Sequence, residues 1–233
     1  MFEQLFDRQD GWDAARLALG GASLAFALVY LRYVAGAASR ARTALKTLTV
    51  AVLALLPLTY AGSGASIVAL GGLTLALVLS ALGDFFLALK DQQRFFVPGL
   101  ASFLAAHVAY VVDFIPLAAM PGVASLAIIA LTVASAGVFL VRIAPNLGKL
   151  KLPVFAYFAV IMTMVATALS IREASWMLGA GAILFALSDS LIAVRKFMRP
   201  FPGVNEAVWI TYCAAQFMIA AALLALVVPA HIG

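Results

Sequence analysis

Two carboxylates stand where the chain has almost no other charge. Asp84 lies in LSALGDFFLAL and Asp189 in LFALSDSLIAV, each inside a long apolar run. His107 occupies a third such run, in FLAAHVAYVV. An ionisable group at membrane depth costs at least about 2.5 kcal/mol on insertion scales, so it faces the interior of a helix bundle and usually serves function. Two carboxyls close together in a low dielectric do not both ionise easily, which leaves one acid beside one carboxylate. Three chemistries use that pairing: cleavage through an oxocarbenium-like cation, activation of water by an aspartyl dyad, and a proton relay in a transporter or channel.

Spacing supplies neighbours for the acids. Ser80 and Asp84 share a helix face at i, i+4, as do Tyr212 and Gln216, and His107 and Tyr110 lie at i, i+3. Gly83 and Ser188, one residue before each acid, are small enough to let a second backbone approach. Asp84 precedes Lys90 by six residues and Asp189 precedes Arg195 by six, so both sit roughly 9 Å from the basic end of their helices. The pattern predicts a polar pocket towards that end, with Lys46 and Lys151 near its rim. These lysines read equally well as snorkelling positive-inside residues or as phosphate contacts. A hydroxyl inside a helix commonly bonds the carbonyl one turn back, which is the simpler reading of Ser80, Ser188, Ser190 and Thr211.

The elements that must hold these residues follow from composition. The chain has 233 residues, 65% of them apolar and 11% charged, with a mean hydropathy of +1.10. A crossing helix uses roughly 20 residues. Apolar runs near 15–35, 44–61, 65–89, 95–112, 121–141, 152–170, 175–194 and 206–228 predict eight. They lack the alternation of barrel strands, and helices are the remaining way to satisfy a backbone in lipid. The expectation is an all-α, polytopic membrane bundle forming one domain over residues 1–233. Pro57 falls inside the second run and predicts a kink. Trp12, Trp176 and Trp209 read as interfacial anchors.

Basic residues orient the spans. Arg32, Arg40, Arg42, Lys46, Lys90, Arg94, Arg142, Lys149, Lys151, Arg195, Lys196 and Arg199 fall on one side, against Arg8, Arg16 and Arg172 on the other. The positive-inside rule then places both termini on the non-cytoplasmic side. The acid-rich start MFEQLFDRQDGWD does not read as the basic leader of a signal peptide. A shift of 105 residues pairs Lys46 with Lys151, Asp84 with Asp189, Lys90 with Arg195, Phe96 with Phe201 and His107 with Tyr212, which predicts a 4+4 parallel repeat.

Several classes drop out. The net charge of +5 comes from scattered bases, not a patch, so no nucleic-acid partner is expected. A single cysteine, Cys213, excludes an intrachain disulfide and a cysteine metal site. No Walker loop, HExxH or GxSxG occurs, and neither cofactor nor metal is expected. An intramembrane aspartyl protease would show YD and GxGD, where this chain has LSD and LGD.

The segments SALGDFFLAL (80–89), FFVPGLASFLAAHVAY (95–110), PVFAYFAVIMTM (153–164), GAILFALSDSLIAVRKF (181–197) and TYCAAQFMIA (211–220), with Lys46 before them, resemble the YhhN-like lysoplasmalogenase family over roughly residues 40–222. That family has Lys-Pro where this chain has Lys46-Thr47. The resemblance implies an eight-helix enzyme that hydrolyses the vinyl ether bond of lysoplasmalogens to a fatty aldehyde and glycerophosphocholine or glycerophosphoethanolamine. It implies site positions at Lys46, Asp84, His107, Tyr110, Tyr157, Asp189, Tyr212 and Gln216. Protonation of the alkenyl β-carbon by one of the two aspartic acids would begin the reaction, the other carboxylate steadying the cation; position leaves both assignments open, and the one carried forward has Asp189 as the acid and Asp84 as the carboxylate. Ser80 and Ser188 join the substrate-binding set. The expected partners are an alkenyl lysophospholipid and the surrounding lipids of a bacterial cytoplasmic membrane. The alternative function is a proton-coupled transporter or channel relaying through Asp84, His107 and Asp189.

Overall fold

The computed structural model describes residues 3–172 and 176–229. Among these the regular structure is helical: α1 (Glu3–Phe6), α2 (Asp13–Tyr30), α3 (Arg40–Leu53), α4 (Ile67–Ala88), α5 (Gln92–Phe114), α6 (Val123–Ile143), α7 (Lys151–Leu169), α8 (Trp176–Phe197) and α9 (Val204–Val227), with short 3-10 turns. Eight helical segments are long and apolar enough to cross a membrane. The chain is an integral multi-pass membrane protein of the all-α class.

Helix ends are set by local chemistry. Ser39 caps α3 by accepting the Arg42 amide at 3.2 Å, and Ser66 caps α4 by accepting that of Ala69 at 3.4 Å. Asp91 accepts the Arg94 amide at 3.0 Å and starts α5. Pro57 lacks an amide hydrogen, so the α-helical ladder of α3 gives way before it and the span ends in a 3-10 turn, Pro57–Tyr60. The predicted kink is thus a helix break.

Three spans run further than expected, the seventh to Phe197 where the sequence pointed to 194, and the first stops at Tyr30, short of 35. The fourth continues to Leu117 and the fifth to Asn146, where the sequence pointed to 112 and 141. Asp113 and Arg142 looked like ends, because a charge normally closes an apolar run. Both instead lie in the last turn of their helices, and a 3-10 turn follows each.

The chain divides into two compact units, Met1–Asp113 with Ala220–Gly233, and Phe114–Ile219. In the first, α3 packs between α2 and α4. The approach of α4 and α5 is close because Gly83 has no side chain: a Cβ there would lie 2.6 Å from the Phe103 ring. In the second unit α7 packs against α6 and α8, around Ile143, Leu147, Val154, Phe158 and Ala193. Gly181 brings α8 against α9, since a Cβ at that position would meet Ile219 at 2.9 Å.

Candidate active site

In the first unit α3 and α4 run side by side, and their charged residues meet at one depth. Lys46 stands six residues into α3 from Arg40, and Asp84 six residues before Lys90, each roughly 9 Å along its axis. The Lys46 ammonium lies 2.8 Å from Asp84 Oδ1. The Asp84 side chain is 1% exposed and that of Lys46 13%. An ion pair this deep is costly to break, because removing either partner leaves the other buried alone. Ser80, one turn before Asp84, is buried, and its hydroxyl has no hydrogen-bond partner among the described residues.

His107 and Tyr110 on α5 are both fully buried. His107 Nδ1 is 2.6 Å from the Phe103 carbonyl oxygen. A carbonyl only accepts, so Nδ1 carries the hydrogen and directs Nε2 away from its own helix. Phe103 is also the residue on which Gly83 rests, so the glycine before Asp84 and the turn before His107 share one contact.

The second unit has its own buried acid. Tyr157, six residues into α7 from Lys151, donates its hydroxyl to Asp189 Oδ2 at 2.9 Å. Each acid is therefore met by a side chain of the helix before it, at the same distance from the basic end: a cation for Asp84, a neutral hydroxyl for Asp189. Lys151, which the 105-residue shift pairs with Lys46, is exposed. Tyr212 packs edge-on against Phe185 at 5.5 Å between ring centroids, and Gln216 is fully buried one turn further along α9.

All ten residues named from the sequence are thus placed inside one unit or the other, largely out of solvent. Some sit differently from expectation. Lys46 is not a snorkelling rim residue but the partner of Asp84. Ser190 and Thr211 bond carbonyls one turn back, at 2.8 and 2.7 Å, whereas Ser188 reaches across to the Val208 carbonyl of α9 at 3.2 Å. Trp12 and Trp176 are exposed, as anchors should be, but Trp209 is 2% exposed and packs on Tyr212. It stands three residues before Tyr212 and so shares its inward face.

Three buried ionisable side chains, Asp113, Arg16 and Arg8, escaped the sequence reading. Asp113 packs against α4, where a Cβ on Gly72 would fall on its carboxylate. Arg16 is 0% exposed and bonded to Asp10, Asp13 and Thr59, with its guanidinium 4.3 Å from the centre of the Tyr60 ring. The hint was present in the cluster of acids around Arg16, but side-counting assigns a residue to a face of the membrane and says nothing of burial.

The YhhN family's sequence model matches residues 41–223, which begin one residue into α3 and end inside α9. This chain belongs to the YhhN family. The match covers every residue of both acid sites, and leaves the Arg16 cluster's basic centre outside it. Among relatives of this YhhN chain, the Mycobacterium tuberculosis protein named lysoplasmalogenase is 40% identical over 151 residues, 63% of this chain and 58% of the relative. Human lysoplasmalogenase TMEM86B is 37% identical over 158 residues, 66% and 64% of the two chains. Bovine lysoplasmalogenase TMEM86A is 36% identical over 155 residues, 62% and 61%. The matched stretch thus spans about three fifths of each relative's length. No solved structure matches this YhhN protein.

Proposed function

We propose that this YhhN protein hydrolyses the vinyl ether bond of lysoplasmalogens, releasing a fatty aldehyde and glycerophosphocholine or glycerophosphoethanolamine. The observation that carries the reading is the difference between the two buried acids. Asp84 has the Lys46 ammonium at 2.8 Å and takes the role of the carboxylate. Asp189 accepts from the Tyr157 hydroxyl at 2.9 Å and takes the role of the acid. The names of the relatives supply the substrate class.

In this mechanism Asp189 gives its proton to the β-carbon of the alkenyl chain. The double-bond electrons form the new C–H bond, and the ether oxygen shares the resulting positive charge. The Asp84 carboxylate stabilises that cation. Water adds to the oxocarbenium carbon and loses a proton to the Asp189 carboxylate, which restores the acid. The hemiacetal then breaks at its glycerol oxygen, which is reprotonated as the aldehyde leaves. One water is consumed and the acids end as they began. Ser80, His107, Tyr110, Tyr157, Ser188, Tyr212 and Gln216 supply hydrogen bonds to glycerol oxygens, water or the acids. We read residues 1–233 as one membrane domain with duplicated halves, in a bacterial cytoplasmic membrane with both termini outside.

The test is purified protein in detergent given an alkenyl lysophospholipid, with aldehyde release followed over time. Asp84→Asn and Asp189→Asn should each lower kcat by about 10²–10⁴-fold, the range of general acid–base catalysis. Absence of aldehyde with the unaltered protein would overturn the function. Full activity in either variant would overturn the mechanism.

A further inference from the structure

The first unit holds a cavity of about 780 Å³ where the start of α3 faces the end of α4 and the start of α5. Its walls are apolar, with Ala44, Leu48, Phe85 and Phe95 among them, and its mouth carries Arg40 and Lys90. The capped N-terminus of α3, at Ser39, adds the positive end of a helix dipole. One carboxylate, Asp91, also borders the cavity, but its Oδ1 is taken by the Arg94 amide at 3.0 Å. Thr47 lines the inner wall, and its Oγ1 is buried without a hydrogen-bond partner among the described residues.

We propose that this cavity seats the head and first carbons of a single-chain ether phospholipid, with Arg40 and Lys90 holding its phosphate and Thr47 meeting its vinyl ether oxygen. The proposal rests on the hydrolase reading and names the residues that position its substrate. Charge selects the occupant, since an apolar pocket rimmed by two cations fits an anionic head on an apolar tail. Lys46 is unavailable for that task because it is spent on Asp84.

Length selects it again. From the phosphorus of a lysoplasmalogen to its alkenyl β-carbon runs a path of about seven bonds, which at roughly 1.2 Å of advance per bond spans about 8 Å. Arg40 and Lys90 stand roughly 9 Å along their helices from Lys46 and Asp84. A phosphate at the rim therefore places the vinyl ether at the depth of Asp84, with the remaining chain running on into the membrane.

Steady-state kinetics test the assignment with two substrates, an alkenyl lysophospholipid and the corresponding alkenylglycerol, which lacks phosphate. In the Arg40→Ala/Lys90→Ala double variant KM for the phospholipid should rise roughly tenfold, the loss expected for contacts to a charged group, with kcat unchanged. KM for alkenylglycerol should stay where it was, and Arg40→Lys/Lys90→Arg should restore the phospholipid value. Thr47→Val should raise KM for both substrates. Equal KM values in wild type and the double variant, or a parallel rise for both substrates, would overturn the phosphate role. An unchanged Thr47→Val would overturn the hydroxyl contact. Binding of a saturated 1-O-alkyl lysophospholipid is measured beside the kinetics. If the unaltered protein cleaves neither substrate, the hydrolase reading fails by itself, and the Kd decides the pocket: tenfold weaker binding in the double variant supports it, and an unchanged Kd overturns it.

Discussion

At the scale of single residues, the chemistry turns on what stands 3 Å from each acid. Lys46→Met leaves Asp84 buried without its cation, which should cost about 3–5 kcal/mol of stability and lower Tm in detergent. Adding Asp84→Leu to that variant removes the stranded charge, so the double variant should melt higher than Lys46→Met alone. A double no more stable than the single would show that the pair is not what holds α3 to α4 at this depth. Tyr157→Phe removes the hydroxyl from Asp189. Asp189 becomes a carboxylate as its proton leaves, and a hydrogen bond to a charged group is worth about 1.5–3 kcal/mol, so kcat should fall roughly 10–100-fold, with Tm little changed because the ring still fills its place. The two acids were legible in the sequence because charge is scarce at 11% and an acid in an apolar run stands out. Their partners were not. Lysine belongs at a membrane interface by composition, and nothing in a linear pattern tells a side chain that snorkels outward from one that turns to the neighbouring helix.

At the scale of helices, small residues decide how near the acids come to their neighbours. Gly83 and Gly71 lie on the same helix, but a Cβ on Gly83 would stand 2.6 Å from Phe103 while one on Gly71 would meet nothing within 4 Å. Gly83→Ala should therefore cost about 1–3 kcal/mol through overpacking. Gly71→Ala should be neutral or stabilising by up to about 1 kcal/mol, since alanine is the better helix former. Thermal melts of the two variants in one detergent check the contrast, and equal Tm values would mean that α4 and α5 are not packed this closely. The glycine next to Asp84 could be read as a close approach from sequence alone. The ends of the spans could not be read so well, because Asp113 and Arg142 stand in the last α-helical turn and a 3-10 turn follows each. Their charges interrupt hydropathy, while the span continues through the 3-10 turn to Leu117 and to Asn146.

At the scale of the whole chain, the segment leading into α2, the 3-10 turn Pro57–Tyr60 and the last described residue are tied together by two buried cations, Arg16 and Arg8, and their surroundings. Arg16 bonds Asp10 at 2.7 and 2.8 Å and the Thr59 carbonyl at 2.8 Å. Tyr60 donates to the Leu5 carbonyl at 2.7 Å, and Arg8 donates to the Pro229 carbonyl at 2.9 Å. Hydropathy gave no sign of this knot, because Arg16 and Thr59 fall inside apolar runs whose average hides them, and Asp10 falls in the polar segment before the first span. The side-chain hydrogen bond from Arg16 holds the Asp10 carboxyl below its usual 3.8, at about 2, against the opposing effect of burial. A carboxyl whose pKa is lower when folded contributes stability that is complete above its unfolded value and fades as pH falls through the folded one. The contribution of Asp10 should therefore be constant from neutrality down to about pH 4 and be lost between about pH 4 and pH 2. Asp10→Asn should lower Tm by a fixed amount across the upper range, and the two melting curves should converge as pH approaches 2. A gap that persists at pH 2 would assign the loss to altered packing around Arg16 and not to the ion pair. Arg16→Met should lower Tm more than Asp10→Asn does, because Asp10, Asp13 and the Thr59 carbonyl all lose their donor at once.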